Sequence, residues 1–154
     1  MAMFQALKSS RMGSGVLLLW AGLVCISPVR ADAPLCRYQI DNGVVLDVET
    51  GLSWQQSVDG GLYDWSGANA YCLGLQLNGG GWRLPTVYEL QTIVDEAVVA
   101  PAIDLAAFPA TPTAAFWSGT SDANSSDSAW RVHFTSGHVQ VTMSNDTLRV
   151  RCVR

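Results

Sequence analysis

Two groups of residues in this 154-residue chain have types and spacing that suit chemistry. The first is Trp82-Arg83-Leu84-Pro85-Thr86 with Glu89 three residues further on. It sets a guanidinium between two large apolar side chains and a carboxylate within reach. Such a pair serves either as a charged active-site group or as a tie for loop carbonyls. A charge near a core persists only when paired and hydrogen-bonded, and the planar fork of arginine suits that duty. The Thr86 to Glu89 spacing is also that of a capping box, in which each residue satisfies the other's amide at a helix start. Scaffolding is therefore the expected role of Trp82, Arg83, Thr86 and Glu89. The second group is Arg131, His133, Gln140, Arg149 and Arg151, spread over the alternating last third of the chain. If these side chains share one sheet face, three arginines meet there without a carboxylate, an arrangement that suits recognition of an anion.

Catalysis and metal binding find less support. The two histidines, His133 and His138, lie near one hairpin, and Ser136 is the serine between them. No residue pattern singles out a nucleophile, a base and an orienting group. Asp122, Asn124, Ser126 and Asp127 supply oxygen atoms in one stretch, but their spacing departs from an EF-hand loop and no glycine stands in its middle. We expect a polar connection there, and no catalytic residue, metal or cofactor.

The elements that must position these groups follow from periodicity. Turn signals at Asp41-Asn42-Gly43 and Glu49-Thr50-Gly51 separate three short strands near 37–40, 44–48 and 52–56. Trp65, Ala68, Cys72 and Leu75 recur at helical spacing after a cap at Asp64 or Ser66. A second helix opens at Thr86 and buries Leu90, Ile93 and Val94, and the proline-punctuated stretch 99–112 reads as an ordered irregular loop. Four strands complete the chain, "FWSG", "SAWRVHF", "HVQVTM" and "LRVRCVR", with a long loop 119–127 between the first two. Facing the apolar residues inward predicts Phe134 opposite Val139 and Val141 opposite Val150, which aligns Arg131, Thr142 and Arg149 in one outer row and His133, Gln140 and Arg151 in the next.

That register turns Cys152 inward from the last strand, while the helical period turns Cys72 inward from the first helix. A Cys72–Cys152 disulfide is therefore expected. Closing so long a loop stabilises a domain by roughly 4 to 5 kcal/mol in the chain-entropy description. Cys36 is left as a free thiol or an intermolecular bridge.

Residues 1–31 read as a secretory signal peptide: Lys8 and Arg11 precede the apolar run from Val16 to Val29, with Ala31 at the cleavage point. The run is shorter than the roughly 20 residues of a spanning helix, so no stable membrane insertion is expected after cleavage. The remainder, 32–154, holds six arginines, no lysine and thirteen carboxylates. That balance argues against nucleic acid as a partner. Its length suits one domain with one core, and its five tryptophans supply much of the apolar area.

"TGLSWQQ", "WSGANAYC", "GGWRLPTVYEL", "PAIDLAAFPATP", "FWSGT" and "VRCVR" together resemble the successive blocks of the Lcl C-terminal domain family, from about Cys36 to Arg154. "WRLPT" with its following acidic residue is also similar to the formylglycine-generating enzyme family, whose paired reactive cysteines have no counterpart here. The resemblance implies a C-type lectin-like α+β fold: two helices, a mainly antiparallel twisted sheet, long irregular loops, and a disulfide from first helix to last strand. It also implies secretion or display at the cell surface. In a collagen-like member of the family it goes with glycosaminoglycan binding by a trimeric domain; this chain has no collagen repeat. The expected function is a secreted, periplasmic or surface recognition module without catalysis, whose partner is an anionic glycan or a surface protein. The alternative is an assembly subunit of the envelope or an appendage, and an oligomer is compatible with either.

Overall fold

The sequence Asp41-Asn42-Gly43 makes the first tight turn, with Asn42 and Gly43 both at positive φ, 46° and 81°. This backbone matches the twist of a two-residue hairpin. In the computed structural model, which describes residues 37–154, the turn joins β1 (Tyr38–Asp41) to β2 (Val44–Asp47). β2 pairs in turn with β3 (Ser53–Gln55) in an antiparallel sheet of order β1-β2-β3. The leader proposed for residues 1–31, and Cys36, lie outside the described residues. Among the described residues no helix is long and apolar enough to cross a membrane.

Helix α1 (Trp65–Gly74) begins where Asp64 accepts a hydrogen bond from the Gly67 amide at 2.6 Å, and it buries Ala68 and Cys72. A short 3-10 turn, Leu77–Gly79, follows it. Helix α2 (Val87–Thr92) carries the complete capping box: the Glu89 amide donates to Thr86 Oγ1 and the Thr86 amide donates to the Glu89 carboxylate. Its buried residues are Val87 and Leu90, with Ile93 buried just beyond its end and Val94 packed at the margin of the same core.

The second sheet has the order β4-β5-β6, from β4 (Ala115–Asp122), β5 (Ser125–His133) and β6 (His138–Met143), all antiparallel. The long loop expected at 119–127 is instead a hairpin tip: β4 runs to Asp122, β5 starts at Ser125, and the Asp122 carboxylate accepts from the Asn124 amide at 3.1 Å. Its Ser and Asp content disguised a bulged ladder as a loop. The register of the next hairpin also differs. Val132, not Phe134, stands opposite Val139, and His133 stands opposite His138. A slip of two residues leaves each side chain on the face expected for it. Phe134 closes the core from beyond the strand, where its amide donates to Ala114 O and its carbonyl accepts from Ala102.

Residues 148–154 do not join this sheet as a further strand beside β6. After Ser144 accepts from the Trp65 amide, the chain turns inward. Leu148 bridges to Tyr63, Arg149 runs parallel to Phe116, and Val153 bridges to both Trp54 and Arg83. The tail thus links the two sheets through the middle of the domain. Consecutive residues on three segments point to opposite sides: Val45, Phe116 and Val153 enter one apolar cluster with Trp54, Leu90, Phe108 and Phe134, whereas Val44, Trp117 and Cys152 enter another with Ala68, Trp82 and Val150. Trp54, Trp82 and Trp117 are almost fully buried. At about 200 Å² apiece, each indole contributes up to about 5 kcal/mol of transfer free energy before entropy is counted. Cys72 and Cys152 are disulfide-bonded, with Cα atoms 5.5 Å apart and 80 residues between them in sequence.

Candidate functional site

The Trp82–Glu89 group is a joint. Pro85 fixes the chain ahead of the cap, and Arg83 reaches across the first turn of α2 to grip Glu89 with two parallel bonds of 2.8 and 2.7 Å. A third donor contact goes to Leu84 O at 3.2 Å. The Arg83 guanidinium, with help from the Thr86 amide, holds the Glu89 carboxyl down to about 2, against the opposing effect of its partial burial. Both hydrogen-bonding groups of the Arg83 backbone pair with Val153, and the Trp82 indole donates to Leu77 O at 2.7 Å. The Arg83 fork, both Glu89 oxygens, the Thr86 hydroxyl and the Trp82 indole all take part in bonds within the fold.

Arg149 and Arg151 were expected on an outer face with Arg131, His133 and Gln140. The structure separates them. Arg151 is completely buried; one terminal nitrogen donates to Gln55 O and Gln56 O at 2.7 and 2.6 Å, and the other donates to Thr111 Oγ1 at 2.6 Å. Its guanidinium lies 4.6 Å from the centre of the Phe108 ring. Burial lowers its pKa to about 9, so it remains charged at neutral pH. The reason for the misplacement is that both faces of the tail are covered, so its alternation distinguishes two halves of one interior rather than core from solvent. Arg149 stays near the surface, but its guanidinium is bonded to Gly60 O and Gly61 O. Arg154 caps the set by donating to Asn78 O and Gly80 O over the Trp82 ring. The tail arginines hold loop carbonyls.

Arg131, His133 and Gln140 do come together. Arg131 and Gln140 are ladder partners, joined by a 2.8 Å bond from the guanidinium to the side-chain amide oxygen, and His133 and His138 form the next pair along the same face. His133, Thr135, Ser136, His138 and Gln140 line a groove of about 320 Å³ at the end of the hairpin. Within it Ser136 Oγ lies 2.6 Å from His138 Nδ1, and Thr135 Oγ1 lies 2.8 Å from His133 Nδ1. The three ion pairs among the described residues join Arg37 to Asp47 and Glu49, and Arg83 to Glu89; none involves Arg131. Arg131 Nε is buried without a hydrogen-bond partner. Among the described residues no three His, Cys, Asp or Glu side chains are grouped to hold a metal ion.

A family model, the Lcl C-terminal domain, matches residues 43–154. The chain belongs to this family. The match takes in β2 to β6 and both helices, and therefore the joint, the tail and the hairpin groove alike. Among curated proteins no relative matches the chain. For this Lcl C-terminal domain the groove adds Thr135, Ser136 and His138 to the residues expected at the site. The sequence signal for them was the short turn after β5, which folds any polar residues it contains back onto the strand ends. A second hollow of about 240 Å³ lies on the opposite face of the sheet, against α2, among Tyr88, Gln91, Thr120, Trp130 and Val139.

Proposed function

We propose that this Lcl C-terminal domain is an exported recognition module of C-type lectin-like architecture that binds an anionic glycan at the end of the β5–β6 hairpin. The observation carrying this reading is Arg131: a cation with no carboxylate partner among the described residues and a buried, unpartnered Nε, next to a groove of hydroxyl, amide and imidazole groups. A sulfate or carboxylate on a sugar supplies the counter-charge that Arg131 lacks, and the hydroxyls of Thr135 and Ser136 suit the hydroxyls of a sugar ring. The Cys72–Cys152 bond is consistent with an oxidising compartment, as is the leader read from residues 1–31. Arg149 and Arg151 take no part in the proposed site.

A glycan array read at several salt concentrations tests the proposal. Saturable binding to sulfated or uronic-acid glycans that weakens with salt, falls at least about tenfold in Arg131→Gln and is unchanged in Arg149→Gln supports it. Binding unchanged by Arg131→Gln, or no binding to any anionic glycan, refutes it.

A further inference from the structure

The two sheets have four outer strand edges, and these are treated differently: the free side of β3 is closed by the tail, where the Ser53 amide donates to Arg154 O and the Gln55 amide donates to Cys152 O. The free side of β4 is closed by its own tail, where the Trp117 amide donates to Arg149 O and the Arg149 amide donates to Ala115 O. The edge strand β1 is short, four residues, and is flanked by Arg37 and Asp41. β6 has no such device. It reads His138-Val139-Gln140-Val141-Thr142-Met143, without lysine, carboxylate, proline or bulge, and no described strand pairs with its outer side. Unprotected edges of this kind template pairing with another strand.

The hydrogen-bond alternation identifies which groups are offered. The Ser144 amide bonds to Asp127 O, so Ser144, Thr142, Gln140 and His138 direct their backbone groups toward β5. Val139, Val141 and Met143 therefore present theirs to the outside. Their side chains share one face of the sheet, and Val141 and Met143 are 38% and 53% exposed.

We propose that β6 pairs antiparallel with β6 of a second copy about a two-fold axis at Val141, making one continuous six-stranded sheet. In that register Val141 meets its own symmetry mate and Val139 meets Met143, which are the residues whose amides and carbonyls point outward. Apolar side chains meet apolar ones on one face, and Gln140 meets Thr142 on the other. No like charges face each other along the strand, which matters in a domain with six arginines against thirteen carboxylates. The axis stands perpendicular to the sheet, so both hairpin grooves open on the same side. The pairing needs only backbone geometry and does not depend on what the grooves bind.

The test is sedimentation equilibrium of the exported protein from low micromolar to near-millimolar concentration, for wild type, Val141→Pro and Val141→Lys. Proline at 141 removes only an outward amide, so the β5–β6 ladder is kept. Lysine places two like charges on the axis. Thermal melts check that both variants stay folded, and Val141→Lys serves where the proline unfolds the hairpin. The expected result is a wild-type dimer whose dissociation constant rises at least about tenfold in Val141→Pro, since each dimer loses two backbone bonds on its axis. A wild type that is monomeric throughout, or an oligomer indifferent to lysine at 141, overturns the proposal. In a salt titration on immobilised glycan, Val141→Pro is expected to keep single-groove affinity and lose only the gain from bivalency.

Discussion

The tail, residues 148–154, and the β5–β6 hairpin have the same sequence texture, apolar and polar residues in alternation with arginine on the polar positions, and opposite fates. In the hairpin the alternation separates a face packed on α2 from a face in solvent, so Arg131 and Gln140 remain accessible beside a groove. In the tail the same alternation separates two apolar clusters, and Val150, Arg151, Cys152 and Val153 are all buried. An arginine is left accessible beside a groove in the first setting and is a tie between backbone carbonyls in the second. What decides is whether the other side of the strand is covered, a property of the topology and not of the segment.

The sharpest way to break this contrast is to remove the staple that holds the tail inside. Replacing Cys72 and Cys152 together with alanine is expected to cost about 4 to 5 kcal/mol, by the loop-closure argument for an 80-residue separation. Against the 5 to 15 kcal/mol of an ordinary domain, that leaves little margin. Chemical denaturation of the double variant should place its midpoint far below that of wild type. A loss under about 1 kcal/mol would mean that packing alone fixes the tail.

Arg151→Met keeps much of the length and apolar stem of the side chain and removes the charge. It takes the donor away from Gln55 O and Gln56 O and leaves the Thr111 hydroxyl with only its bond to Phe108 O. We expect a loss of about 3 kcal/mol, the desolvation cost of the orphaned groups less the relief of an unpaired buried cation. Arg151→Lys retains the charge but lacks the fork that spans three acceptors, and is expected to lose about 2 kcal/mol. Equal stability of Arg151→Met and wild type would show that the cation is dispensable to the fold.

The joint at α2 is the intermediate case, a pair partly open to solvent. Because Arg83 holds the Glu89 carboxyl at about 2, below its ordinary 4.5, the folded state favours the ionised form. The associated stability is complete above pH 4.5 and is lost as pH falls toward 2. With Arg83 nearly half exposed, screening reduces the contribution to about 1 kcal/mol. Melting temperatures of wild type and Glu89→Gln should therefore differ most at pH 6 to 7 and converge near pH 2, the reference range of carboxyl titration being left behind. A difference independent of pH would assign the effect to the cap and not to the ion pair.

How far the sequence foretold this arrangement depends on which physical signal each part carries. The two helices were legible because capping is local: Asp64 and the Thr86–Glu89 box satisfy amides within three residues of themselves. The first sheet was legible through Asn42-Gly43, and the disulfide through the inward period of α1 at Cys72 and the position of Cys152. The tail failed as a β6 partner because nothing in "LRVRCVR" encodes that Trp54, Tyr63 and Arg83 wait for it from 70 to 99 residues upstream. The hairpin register failed by two residues because the apolar positions of β5 and β6 repeat at the same interval, so hydrophobic matching alone does not count rungs. Arg37 with Asp47, a bidentate pair whose carboxylate is fully buried, was missed for a similar reason: two opposite charges ten residues apart on neighbouring strands look like ordinary surface residues.

The hairpin end of the comparison predicts the smallest effect on the fold and the largest on binding. Arg131 is held by one bond to Gln140, itself exposed, and by no carboxylate. Arg131→Gln should change stability by less than about 1 kcal/mol, the scale of a single neutral hydrogen bond. On an immobilised sulfated glycan the same substitution should weaken binding at least about tenfold, since a charge-assisted contact is exchanged for a neutral one. Gln140→Ala offers the complementary case: it frees the Arg131 fork without removing the charge, so binding should persist while its salt dependence is retained. If Arg131→Gln instead unfolds the domain as Arg151→Met is expected to, then the hairpin arginine is also a structural tie, and the distinction between tail and hairpin collapses to one of exposure.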